Sequence, residues 1–246
     1  MNIGLYESAS AMNALERWQD AVAQNITSSQ VTGYKKRTVD FAATLMGEMS
    51  PGGKTPIGDG QPGSFPTAIY GISYKQGEVS PTKRPLDLAL QGPGFFVMQA
   101  PDGSRTYTRD GELSIRNDRT LISASGAEIL SDANSPIQTL PNGNPITINA
   151  DGTVYQGPAR LGKIKVVKFD DNSRLIPVGT GGFIAPGQDP VTVEKPDVMQ
   201  GYLEGSNVSP LREMVDLVMI SRAYEANQKL IQSRDGTFEK ALEKLG

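Results

Sequence analysis

The chain has 246 residues, is 37% hydrophobic and carries 27 glycines and 17 prolines, a composition that supports one or two globular domains with a turn-rich, largely β middle. It contains no histidine and no cysteine, which removes disulfides, thiolate nucleophiles, Ser-His-Asp triads and nearly every zinc-site pattern. A formal net charge of -3 argues against nucleic acid as the main partner, because phosphate binding needs a basic surface.

At the amino terminus, Met1 to Leu5 lack the basic segment and apolar core of a secretory signal. No run approaches the roughly 20 apolar residues of a membrane span, so no direct membrane insertion is expected. From Ile3 to about Ile26 the pattern is helical, with Leu5, Met12, Leu15, Val22 and Ile26 forming a stripe and Ala9 and Ala14 between them. Trp18, the single tryptophan, lies beside the stripe and reads as a packing anchor. Asn25, Thr27, Ser28, Ser29 and Gln30 are poor interior residues and weaken the helix, and Gly33 marks a turn before Tyr34. Lys35, Lys36 and Arg37 form the one tight basic cluster, read as a solvated or ion-paired helix end. A further segment with Phe41, Leu45 and Met46 can extend the helical arm.

Between about Gly47 and Gly77, clusters such as Pro51-Gly52-Gly53 and Gly58-Asp59-Gly60 mark a long linker, with Phe65, Ile69, Tyr70, Ile72 and Tyr74 as apolar anchors. From Pro85 the period changes to two: Leu86, Leu88 and Leu90 alternate with Asp87 and Ala89. Phe95-Phe96-Val97 follows, and Asp102-Gly103, Asp110-Gly111, Asn142-Gly143 and Asp151-Gly152 supply turns between short strands. Arg174 to Ile176 can pair back on Ile164 to Phe169 across Asp170-Asp171-Asn172. The middle therefore reads as an irregular antiparallel β domain. Gly92 and Gly94 resemble the start of a dinucleotide fingerprint, but Val97 stands where its third glycine belongs. Asp102, Asp110, Asp118 and Asp151 all sit in turn contexts that favour local hydrogen bonding over acid–base chemistry. No catalytic, cofactor-binding or metal-ligating set emerges, and no enzyme activity is expected.

The last long element runs from Ser209, an N-cap followed by Pro210 in the first turn, to Leu245. At 1.5 Å per residue it spans roughly 54 Å. Leu217, Tyr224, Ile231, Phe238 and Leu245 recur every seven residues, with Met214 and Leu242 in the companion column of the same heptad frame. The other companions are Ser221, Gln228 and Asp235, which leaves the seam imperfect. Val215, Leu217, Val218, Met219 and Ile220 carry apolar surface around much of the circumference, so this helix wants several neighbours.

Both ends carry the words of a family. Asn25-Ile26 followed by Gly33-Tyr34-Lys35, then Leu203-Glu204-Gly205-Ser206-Asn207-Val208 and Arg222-Ala223-Tyr224-Glu225-Ala226-Asn227, resemble the signatures of the flagellar basal-body rod and hook family of axial proteins. In the middle, Gly92-Pro93-Gly94-Phe95-Phe96, Tyr107-Thr108-Arg109-Asp110-Gly111 and Leu161-Gly162 are similar to that family's β domain. Thr27-Ser28-Ser29-Gln30-Val31 departs from the more usual alanine- and asparagine-rich spacer. Moderate length and a single β domain fit a rod subunit better than a hook subunit.

The resemblance implies an α+β protein whose long terminal helices form a coiled-coil-like axial domain (1–46 and 207–246), with a Gly/Pro-rich linker (47–77) and an inserted β-rich outer domain (78–206). It further implies a structural subunit exported through the flagellar type III channel to the basal body in the periplasm, polymerising head-to-tail to transmit torque. Its partners would be copies of itself and other rod and hook proteins, with surrounding ring proteins and the export apparatus. The expected assembly residues are Leu5, Met12, Leu15, Trp18, Val22 and Ile26 on the first helix. On the last they are Met214, Leu217, Tyr224, Ile231, Phe238, Leu242 and Leu245. A hook-type axial protein is the alternative within the family, and two other classes stay open: an enzyme acting on carbohydrate or peptidoglycan, which would need a cleft with convergent carboxylates, and a secreted β-domain binding module, which has no need of two long apolar helices.

Overall fold

A computed structural model describes residues 3–45, 64–141 and 143–245. The chain divides into two compact units.

The first unit comprises residues 1–27, 37–72 and 209–246. It contains helix α1 (Ile3–Thr27), an antiparallel hairpin of strands β1 (Arg37–Leu45) and β2 (Ser64–Ile72), and helix α2 (Pro210–Leu245). The main-chain carbonyl of Ser209 accepts the Glu213 N–H at 3.1 Å, and Pro210, whose missing donor is harmless in a first turn, opens α2. α1 packs on α2 and on both strands. Its buried face is Ala14, Ala21, Val22 and Asn25, where two alanines let a neighbour's backbone come close.

The structure corrects the expected fold class. Among the described residues the protein has two long helices and is otherwise mostly β, with no coiled-coil seam between the helices. α2 does not bury the Met214 column: Met214 is 51% exposed, and among the described residues the buried side chains of α2 are Glu213 and Ile220, each one position before the anticipated companions Met214 and Ser221. A one-residue offset turns a helix by about 100°, enough to exchange a buried stripe for an exposed one. The helices also share their unit with a β hairpin. Thr38, Val39 and Phe41 on β1, which pair with Gly71, Tyr70 and Ala68, and Thr67, Ile69 and Ile72 on β2 are β-branched or aromatic residues that favour a pleated ribbon over an extended helical arm. Phe41, expected on that arm, instead meets the edge of Trp18 at 5.6 Å. The later part of the expected linker, from Ser64, is therefore β2 and the irregular segment after it, while Met46 and residues 47–63 lie outside the described residues.

The second unit comprises residues 28–36 and 73–208. Its first strands are β3 (Val79–Pro81), β4 (Leu88–Gln91), β5 (Phe95–Gln99) and β6 (Arg105–Thr108). β5 and β6 pair antiparallel at the middle of the largest sheet, which continues through Gly182–Ile184 to Ile176–Val178 on one side and through Glu128–Ile129 and Leu121–Ser123 to Leu113–Ile115 on the other. Phe95, Phe96, Val97 and Met98 are all buried, so β5 is covered on both faces. The core gathers Leu88, Leu90, Phe96, Met98, Ile129 and Ile164. Ala89 is buried as well, which is why the alternation expected for β4 does not divide it into a wet and a dry face. Ile176–Val178 pairs with Gly182–Ile184, not with residues 164–169, because Asn172–Arg174 form a short 3₁₀ turn capped by Asp171. β3 pairs with Tyr202–Glu204 and β4 with Asp197–Gln200, so the end of the β unit returns beside its beginning.

Candidate functional site

In the β unit, the pairing of β3 with Tyr202–Glu204 carries Glu204 into the interior, where it is 0% exposed. Its Oε1 accepts from Lys35 Nζ at 2.5 Å and from the Gly77 N–H at 3.1 Å, and its Oε2 from Arg109 Nη1 at 3.1 Å. Its main-chain carbonyl accepts the Gly33 N–H at 2.8 Å. Lys35 also donates to the Lys75 carbonyl at 2.8 Å, and Arg109 to the carbonyls of Leu90 (3.2 Å) and Gly92 (2.5 Å) while lying 5.7 Å from the Phe95 ring centre. Two cations thus share one carboxylate. Burial pulls the Lys35 ammonium below the usual lysine range, with Glu204 opposing, and burial likewise lowers Arg109, with Glu204 opposing.

Asn207 completes the arrangement. Its Oδ1 accepts the Lys36 N–H at 2.6 Å, and its Nδ2 donates to the carbonyls of Ser73 (2.7 Å) and Lys75 (2.9 Å). Close approach is possible because of two glycines. A Cβ on Gly33, whose φ is +68°, would stand 2.3 Å from the Asp110 nitrogen, and one on Gly77 would stand 2.0 Å from the Gly205 oxygen. The basic cluster is therefore not a helix end: Lys35 is a buried ion-pair member and Arg37 opens β1.

The helical unit has its own polar core. Asn25 donates to Glu213 Oε2 at 2.9 Å and to the Arg37 carbonyl at 2.8 Å, and accepts the Arg37 N–H at 2.9 Å. Asn25 and Glu213 are each 1% exposed. Of the residues expected to build an assembly face, Val22 is buried within the unit, and Met12, Leu15, Trp18, Ile26, Leu217, Tyr224 and Ile231 are half-buried. The side chains of Leu5, Phe238, Leu242 and Leu245 lie outside the described residues. Met214 is exposed together with Leu211, Val215, Val218 and Met219, a stripe on α2 at helical spacing.

The turn aspartates hold turns. Asp102, Asp118 and Asp151 each accept the N–H two residues on, and hydroxyl or Arg116 partners with those amides hold their carboxyls below the usual range, Asp118 at about 2. Asp110 accepts the Glu112 N–H and the Thr32 hydroxyl, the latter at 2.6 Å, and burial raises its carboxyl. Among the described residues no group of side chains is arranged to hold a metal ion, and no helix is long and apolar enough to cross a membrane. Sequence reasoning gave no role to Arg109, Asn207 or Glu213. Arg109 and Asn207 stand within family-like words, but nothing local marks a partner 95 positions away in the chain, as Glu204 is from Arg109.

A family model described as Flagellar basal body rod FlgEFG protein C-terminal matches residues 199–244, and one described as Flagellar hook protein FlgE/F/G D1 domain matches residues 89–156. The chain is similar to the flagellar basal-body rod protein FlgF of Mesorhizobium japonicum, with 32% identity over 100% of this chain and 99% of that one. It is similar to FlgF of Caulobacter vibrioides with 33% identity over 100% and 99%. It also resembles the flagellar basal-body rod protein FlgG of Borreliella burgdorferi, with 30% identity over 94% of each chain. With identity above 30% across its whole length, the chain belongs to the flagellar basal-body rod protein family of FlgF- and FlgG-like axial proteins.

Proposed function

We propose that the exposed face of α2 is the surface through which this protein meets its neighbours in the rod. The chain is a structural subunit of the flagellar basal-body rod and is located in the basal body. The observation that carries the finer reading is the stripe Leu211, Met214, Val215, Val218 and Met219, each more than half exposed although all are large and apolar. A helix that has already buried Ile220 and Glu213 on one side needs a second surface to cover this one. Copies of the chain and other axial proteins, meeting head-to-tail in a contact that does not close, generate an open helical filament suited to transmitting torque. The half-buried residues Met12, Leu15, Trp18, Ile26, Leu217, Tyr224 and Ile231 keep part of their surface free to extend that contact. Family membership alone supports delivery by the flagellar type III route and contact with ring proteins, and it favours a structural over a catalytic role. The test is electron microscopy of basal bodies from cells whose only copy of the subunit carries Met214→Asp. Rods that stop short of this subunit are expected, whereas full-length rods that incorporate the variant would remove the proposal.

A further inference from the structure

The apolar core of the β unit and the segment that closes over it are held by different forces. The core cluster draws on residues from Leu88 to Val198, and among the described residues it takes none from segment 28–36. That segment is held mainly by polar ties. Gly33 donates to the Glu204 carbonyl, Lys35 pairs with the Glu204 carboxylate, Lys36 donates to Asn207, the Asn207 N–H reaches the Tyr34 carbonyl, and Thr32 donates to Asp110. Tyr34 and Val208 are buried, yet both lie outside the core cluster.

We propose that residues 28–36 form a strap that closes on a preformed β core only when Glu204 and Asn207 reach it. The reason is charge. Lys35 and Arg109, with side chains 0% and 6% exposed, both face Glu204, and no other anion pairs with either of them among the described residues. Until residue 204 is in place, closing the strap would bury a lysine and an arginine with no counter-charge, which is strongly unfavourable. A chain that emerges amino end first presents the strap and the whole core before it presents Glu204. The strap residues therefore wait, although they emerge before every residue of the core. The clasp is a closing step placed after the core residues have emerged, and it is independent of how α2 meets its neighbours.

Hydrogen exchange followed by mass spectrometry on the full-length chain tests this, comparing the peptide covering residues 28–36 with the one covering β5. In Glu204→Gln, exchange of residues 28–36 is expected to accelerate by about tenfold or more while Phe95–Gln99 keeps its protection. The double variant Lys35→Met/Glu204→Gln strands one cation instead of two and should exchange more slowly in the strap than Glu204→Gln alone. Unchanged strap protection in Glu204→Gln, equal acceleration of strap and β5, or a double variant that exchanges as fast as the single one would each overturn the proposal.

Discussion

Val218 offers a graded test of the α2 surface. It is 52% exposed, and Leu211, Met214, Val215 and Met219 are 75%, 51%, 52% and 51% exposed. Full burial of such a side chain contributes about 1.5–3 kcal/mol, so covering the remaining half contributes roughly 1 kcal/mol each and about 5 kcal/mol for the stripe, before the loss of subunit freedom is subtracted. Val218→Ser gives up about 1 kcal/mol of that and adds a hydroxyl whose desolvation costs about 1 kcal/mol more. At 1.4 kcal/mol per tenfold, the concentration needed for polymerisation should rise roughly thirtyfold. Val218→Asp, which would bury an unpaired charge, should prevent polymerisation at any accessible concentration while leaving the subunit folded. Ile220→Asp behaves differently, because Ile220 is 0% exposed and its loss damages the helical unit itself. The assay is pelleting across a concentration series, with circular dichroism of the free subunit as the folding control. Val218→Ser polymers that form at the wild-type concentration, or a Val218→Asp subunit as unfolded as Ile220→Asp, would refute the reasoning.

Asn25→Asp sets a second carboxylate against buried Glu213 in place of a 2.9 Å hydrogen bond; the helical unit should lose about 2–4 kcal/mol, read by urea unfolding followed through the single tryptophan, Trp18. Gly33→Ala forces a side chain onto a φ of +68° with its Cβ 2.3 Å from the Asp110 nitrogen, so the β unit should lose more than about 1–2 kcal/mol, measured as a lowered thermal midpoint. Burial lifts the Tyr74 phenol to about 12, and its hydroxyl is buried without a hydrogen-bond partner among the described residues. The folded state then holds this proton at a pH where the unfolded chain has lost it, so stability should fall as pH rises from the ordinary tyrosine value toward about 12, and Tyr74→Phe should make that fall shallower without loss at neutral pH, the remainder coming from Tyr107, which burial also raises. Lys35 has the opposite sign: its lowered value means the unfolded chain binds the extra proton, so stability should rise with pH up to the ordinary lysine range, and Lys35→Met should flatten that rise in a series of urea midpoints.

How much of this was legible from residues alone depended on the range of the interaction. Ser209-Pro210 and the proline-free run after it are local signals, and α2 begins where they place it. Ala14, Val22 and the turn aspartates are local too. The face of α2 was harder to read, because apolar residues surround its first turns and the decisive buried member is Glu213, a charged residue that no hydrophobic period would select. Its reason for burial, Asn25, lies 188 positions away in the chain. The stretch from Arg37 to Leu45 carries enough alanine to pass for helix, and its partner strand lies beyond a glycine- and proline-rich interval, so only the pairing reveals the ribbon. Lys35 and Glu204 likewise stood in recognisable words at opposite ends, but their contact across 169 positions has no local trace.

Whether the α2 stripe is open in the free subunit and covered in the rod can be measured directly. The natural chain has no cysteine, so Val218→Cys introduces a single thiol whose reactivity reports this directly. Labelling with a maleimide should be fast in the purified subunit and strongly suppressed in intact basal bodies. Equal reactivity of the thiol in both would contradict the account.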